Sequence, residues 1–127
     1  MNCRIFDDEY GKRLYEDMKA SYSFLNFPVK SNIDNPLEYI DKIKDWDYIL
    51  LDNRFPVVWG WDEALWDVFL WKYIELWLRC NIICISDFGK SLTDKFSNWF
   101  EVNKRWDIIG RCPSKSIKDI KRYLILS

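Results

Sequence analysis

Short apolar runs alternate with amphipathic stretches along this chain. The runs are 3–6 (CRIF), 26–29 (NFPV), 48–51 (YILL), 81–85 (NIICI) and 107–110 (DIIG). Runs this short, without strict polar alternation, suit strands buried on both faces of a sheet. Between them, periodicity predicts helices at about 10–21, 36–43, 62–79, 92–103 and 116–125. Start signals support several of these. Asn35 precedes Pro36 as a cap and first-turn pair, Ser91 has Asp94 three residues on, and Ser116 precedes the last amphipathic stretch. The resulting order is (βα)5, the pattern of a parallel α/β sheet covered by helices on both faces. No repeat, linker or low-complexity tract interrupts it, so residues 1–127 read as one domain.

The stretch after Gly60, WDEALWDVFLWKYIELWLRC, carries more apolar surface than one helix face needs. On a helical wheel Leu65, Trp66, Phe69, Leu70, Tyr73, Leu76 and Trp77 fill one arc, which is the expected core face. Ala64, Trp71, Ile74 and Leu78 form a second cluster, set apart by charged residues. Two readings are open: a protein–protein patch, including a homodimer through 62–79, or a helix buried on two sides. Its charges argue against a membrane span.

Composition narrows the function classes. A hydrophobic fraction of 49% with 18% aromatics and eight Trp describes a packed globule. With 19 basic and 20 acidic residues the net charge is -1, which provides no footprint for nucleic acid or for an anionic membrane. The N-terminal segment has neither signal-peptide order nor the length of a span, and the four cysteines lack CxxC spacing. Reduced thiols and a cytoplasmic location are therefore expected. The chain has no histidine, so Ser-His and Cys-His nucleophile pairs and His metal sites are excluded. Any chemistry falls to carboxylates.

In an open parallel sheet, reactive groups collect beyond the carboxyl ends of the strands. There the first run leads into Asp7, Asp8 and Glu9, the run 48–51 into Asp52, and the run 81–85 into Ser86 and Asp87. Two carboxylates about 5 Å apart repel by roughly 3 kcal/mol at an effective dielectric near 20, so convergent acids call for a cation. Oxygen donors favour Mg²⁺ over Zn²⁺. Asp52 could then attack a phosphoryl group and form an aspartyl phosphate, with the Ser86 hydroxyl donating to a phosphoryl oxygen.

These residues resemble the receiver domains of two-component response regulators over essentially the whole chain. The likeness rests on Asp7-Asp8-Glu9 after the first strand, Asp52 after the third, Pro56 and Gly60 at successive four-residue steps, and Ser86 after the fourth. It implies a doubly wound, flavodoxin-like sheet of strand order 2-1-3-4-5. It also implies Mg²⁺ held by Asp7, Asp8, Asp52 and the carbonyl of Arg54, with Asp52 as phosphoacceptor and Ser86 as switch hydroxyl. The donor would be a histidine kinase or phosphotransfer protein. With the chain ending on its fifth helix, output would pass through a downstream protein partner. Phosphoryl acceptance would be self-catalysed, without enzymatic turnover of a separate substrate; a phosphatase fits less well, because no acid stands two residues after Asp52.

The sequence departs from that pattern in its second half. Cys112 stands where receivers place a lysine, and Arg111 and Lys115 are the candidates to replace it. The aromatic expected earlier on the fifth strand is absent from Ile108-Ile109-Gly110, and the connection from Gly60 to the fourth strand is long. These departures favour the alternative of a pseudo-receiver, an interaction domain that signals without phosphorylation.

Overall fold

The computed structural model describes residues 2–7, 9–33, 36–52, 69, 71–85, 94, 97–99, 101–103, 109–112 and 115–124. Among these residues four strands, β1 (Cys3–Phe6), β2 (Tyr48–Leu51), β3 (Asn81–Cys84) and β4 (Ile109–Arg111), form one parallel sheet in the order β1-β2-β3-β4. The protein is thus mixed α/β, as the alternating pattern predicts. Register aligns the strand ends: Phe6 pairs with Leu51, Leu51 with Cys84, and Cys84 with Arg111.

Side-chain alternation splits the sheet into two buried faces, which is why the strand runs are largely apolar. One face carries Cys3, Ile5, Tyr48, Leu50 and Ile83, and packs against Leu14, Tyr15 and Met18 of α1 (Gly11–Ser21) and Ile120 of the last helix (Ile117–Ile120). The other carries Phe6, Ile49, Leu51, Ile82 and Cys84, and packs against Ile33, Ile40, Ile43, Phe69 and Tyr73. The Phe6 and Phe69 rings meet edge to face, with centroids 5.9 Å apart. Tyr22 Oη donates to the carbonyl of Ile117 at 3.1 Å, which ties the end of α1 to the last helix.

Several expected elements take a different form. The run 26–29 makes an isolated parallel bridge between Asn26 and Asn2, reinforced by the Cys3 N–H donating to the Asn26 carbonyl at 2.8 Å. It does not continue as a strand, because Pro28 has no N–H to give a ladder. The helix expected at 36–43 is instead two 3-10 turns, Pro36–Glu38 and Ile40–Lys42. Its apolar residues Leu37, Ile40 and Ile43 recur every third position, which is the 3-10 repeat. The last amphipathic stretch likewise passes from Ile117–Ile120 into a 3-10 turn, Lys121–Tyr123.

In the Trp-rich stretch, residues 69 and 71–75 are helical, while 61–68 and 70 lie outside the described residues. Phe69 and Tyr73 are buried as the wheel predicts. Leu76 and Trp77 are not: the helix gives way to a turn, and Trp77 adopts a left-handed φ of 56° with 85% of its surface exposed. That turn rotates the chain so that Leu78, expected on the outer cluster, enters the core instead. The described residues of 92–103 are helical up to the turn at Asn103.

At the amino end of the sheet, buried Arg4 pairs with buried Asp47 and also donates to the Lys42 carbonyl at 2.8 Å. The same Asp47 carboxylate accepts the Lys44 N–H at 3.0 Å, so one ion pair closes the 42–47 turn onto β1. Among the described residues, no helix is long and apolar enough to cross a membrane.

Candidate functional site

Because β1 and β2 run parallel and end in register, the residues that follow them, Asp7 and Asp52, emerge side by side. The Asp52 N–H donates to the Phe6 carbonyl at 2.8 Å, and both residues are buried. Asp7 Oδ1 accepts the N–H groups of Glu9 and Tyr10, each at 2.9 Å, so this carboxylate also organises the turn that leads into α1. The Asp7 carbonyl accepts the Ile33 N–H at 3.0 Å.

A buried carboxylate needs a cation or donors to offset lost hydration. Here the cation comes from beyond β4. The Cys112 N–H extends the ladder to the Cys84 carbonyl at 2.7 Å, and the Lys115 N–H returns to the Cys112 carbonyl at 3.2 Å. That turn sets Lys115 at φ 53°, a left-handed conformation unusual for a residue with a side chain. The result places Lys115 Nζ 2.5 Å from Asp7 Oδ2 and 3.7 Å from Asp52 Oδ2, with only 20% of the lysine side chain exposed. One ammonium therefore serves two carboxylates, each of which would otherwise raise the energetic cost of the other. The Tyr10 ring lies over the same ammonium, 4.7 Å from centroid to Nζ.

Cys112 itself does not join the site. It is buried in the core beneath the last helix, and its thiol donates to the Ser116 carbonyl at 3.7 Å. All four cysteines are buried free thiols. Burial pushes the Cys3 thiol pKa well up, the negative charge of Asp47 adds to this, and Arg4 opposes it.

Of the residues expected at the site, Asp7, Asp52 and Lys115 come together. Asp8, Arg54, Pro56, Gly60 and Ser86 lie outside the described residues, as does the side chain of Arg111. Among the described residues, no group of three His, Cys, Asp or Glu side chains is arranged to hold a metal ion. The two carboxylates supply oxygen donors, the kind a hard divalent cation such as Mg²⁺ takes, although one oxygen of Asp7 is already engaged by Lys115. Tyr10 was not foreseeable, because its contact depends on where the turn after β4 delivers Lys115.

Comparison with models of protein families, with curated proteins and with solved structures finds no match to this chain.

Proposed function

We propose that the protein contains a receiver-like signalling domain that accepts a phosphoryl group on Asp52. The observation that carries this reading is the placement of Lys115 Nζ between Asp7 and Asp52 at the carboxyl end of a parallel sheet. A nucleophilic carboxylate, a second acid beside it and a fixed cation together suit phosphoryl transfer, which depends on positioning and charge neutralisation.

In this reading an Asp52 carboxylate oxygen bonds to the phosphorus of the donor. The bond from phosphorus to the donor nitrogen or acyl oxygen breaks, and the leaving group keeps the electron pair. Lys115 offsets charge on the transferred group, in place of the lysine that Cys112 displaces. Asp7, Asp8, Asp52 and the Arg54 carbonyl would hold Mg²⁺, which supplies further charge neutralisation when bound. Ser86 would donate its hydroxyl to a phosphoryl oxygen.

The finer fold belongs to the same proposal: a flavodoxin-like order 2-1-3-4-5, with the run 26–29 in the place of the second strand. The bridge from Asn26 to Asn2 supports it, since it lies on the side of β1 away from β2. The phosphodonor would be a phosphohistidine on a histidine kinase or phosphotransfer protein in the cytoplasm, and the output a protein partner.

The second reading, a pseudo-receiver that signals without phosphorylation, draws on the pairing of Lys115 with Asp7, which leaves the pocket partly neutralised without a metal. Beryllofluoride, which mimics an aspartyl phosphate, separates the two. Calorimetric titration in the presence of Mg²⁺ should show binding to the wild type and none to Asp52→Asn. No heat of binding to the wild type favours the pseudo-receiver.

A further inference from the structure

We propose that Tyr10 is a positioning residue for Lys115: its ring confines the ammonium to the point from which it can pair with a phosphoryl group on Asp52. This inference rests on the reading of Asp52 as a phosphoacceptor. It concerns a residue that the motif pattern does not single out.

The need for such a residue follows from where Lys115 begins. It stands three residues beyond Cys112 and past the end of β4, so a flexible four-carbon stem must be held in one conformation to bring its charge to the acids. Long side chains resist such ordering through lost rotamer freedom. Asp7 and Asp52 hold the ammonium from the buried side. The Tyr10 ring meets it at 4.7 Å, within the range of a cation–π contact.

Tyr10 itself is 45% exposed and belongs to neither core cluster, so its ring is not explained by packing. Its backbone, however, is fixed. The Tyr10 N–H donates to Asp7 Oδ1 at 2.9 Å, and its carbonyl accepts the Leu14 N–H at 2.9 Å as α1 begins. One buried carboxylate thus holds both partners of the cation–π contact, the tyrosine backbone through Oδ1 and the lysine through Oδ2. An aromatic face also suits a cation that must shift. It attracts the ammonium over its whole surface without competing as a hydrogen-bond acceptor, so Lys115 can move from Asp7 toward a phosphoryl oxygen while staying confined.

The test uses the full chain with Tyr10→Leu and Tyr10→Phe, and reads two quantities. The first is the rate of Lys115 reductive methylation by formaldehyde and borohydride, followed by peptide mass. The second is the rate of adduct formation with acetyl phosphate and Mg²⁺, followed by intact mass. Tyr10→Leu should speed methylation of Lys115 about threefold and slow adduct formation about threefold, the size of an exposed cation–π contact. Tyr10→Phe, which keeps the ring, should match the wild type in both. Unchanged methylation in Tyr10→Leu, or a Tyr10→Phe variant that behaves like Tyr10→Leu, would overturn the positioning role. If the wild type forms no adduct while the methylation difference persists, the phosphoryl reading fails and the ring–ammonium contact alone stands.

Discussion

Lys115 and Asp7 stand 108 positions apart in the chain, yet Lys115 Nζ lies 2.5 Å from Asp7 Oδ2. The contact joins the turn after β4 to the end of β1 and gives the buried carboxylate of Asp7 its counter-charge. Lys115 is partly exposed, so its loss should cost less than breaking a fully buried pair. We expect Lys115→Met to destabilise the fold by about 2 kcal/mol in urea unfolding. In a double-mutant cycle with Asp7→Asn the two losses should overlap by about 1 kcal/mol or more, whereas simple additivity would contradict the pairing.

Gly110 on β4 makes a second long-range prediction. A Cβ added there would lie 2.5 Å from Cδ1 and 2.6 Å from Cγ of the Tyr123 ring. Gly110→Ala should therefore cost roughly 1–3 kcal/mol by overpacking. In a Tyr123→Ala background the same substitution should cost little, and an equal loss in both backgrounds would exclude the ring as the cause.

The strands β1 to β3 were legible because each is buried on both faces and so reads as a largely apolar run. The run 26–29 was less so: its apolar character comes with Pro28, which limits it to a bridge. The segment 36–43 has a helical start signal, but its apolar residues recur every third position and select 3-10 turns. In the Trp-rich stretch, periodicity placed Phe69 and Tyr73 correctly and failed at Leu76 and Trp77, because a wheel assumes the helix continues and the backbone turns there. At the site, Asp7 and Asp52 could be read as neighbours from the strand order alone. The arrival of Lys115 could not, because it reaches the acids through a left-handed residue that no local signal announces.

Cys3 gives the molecule a dependence on alkaline pH. Its native thiol pKa is raised by burial first and by Asp47 second, while in the unfolded chain the thiol ionises near its ordinary value of 9.0. The stabilisation from keeping this group neutral is thus fully present below that value and is lost progressively as pH rises above it. Urea midpoints should fall above about pH 9 in the wild type and less steeply in Cys3→Ala. Parallel curves would remove Cys3 as the source.

Trp71 tests the proposed homodimer. It is 71% exposed on the helical segment 71–75, so Trp71→Glu should leave stability within about 0.5 kcal/mol of the wild type. If the Trp-rich helix mediates self-association, sedimentation should show a wild-type dimer and a monomeric variant. A monomeric wild type would end that proposal.

The most direct measurement is the intact mass of the protein after incubation with acetyl phosphate and Mg²⁺. A phosphoacceptor held beside Asp7 and Lys115 should gain a single phosphoryl group without any kinase. The adduct should be labile to hydroxylamine, as an acyl phosphate is, and should be absent from Asp52→Asn. An unchanged mass in the wild type, or an adduct that persists in Asp52→Asn, would contradict the assignment of Asp52 as the phosphoacceptor.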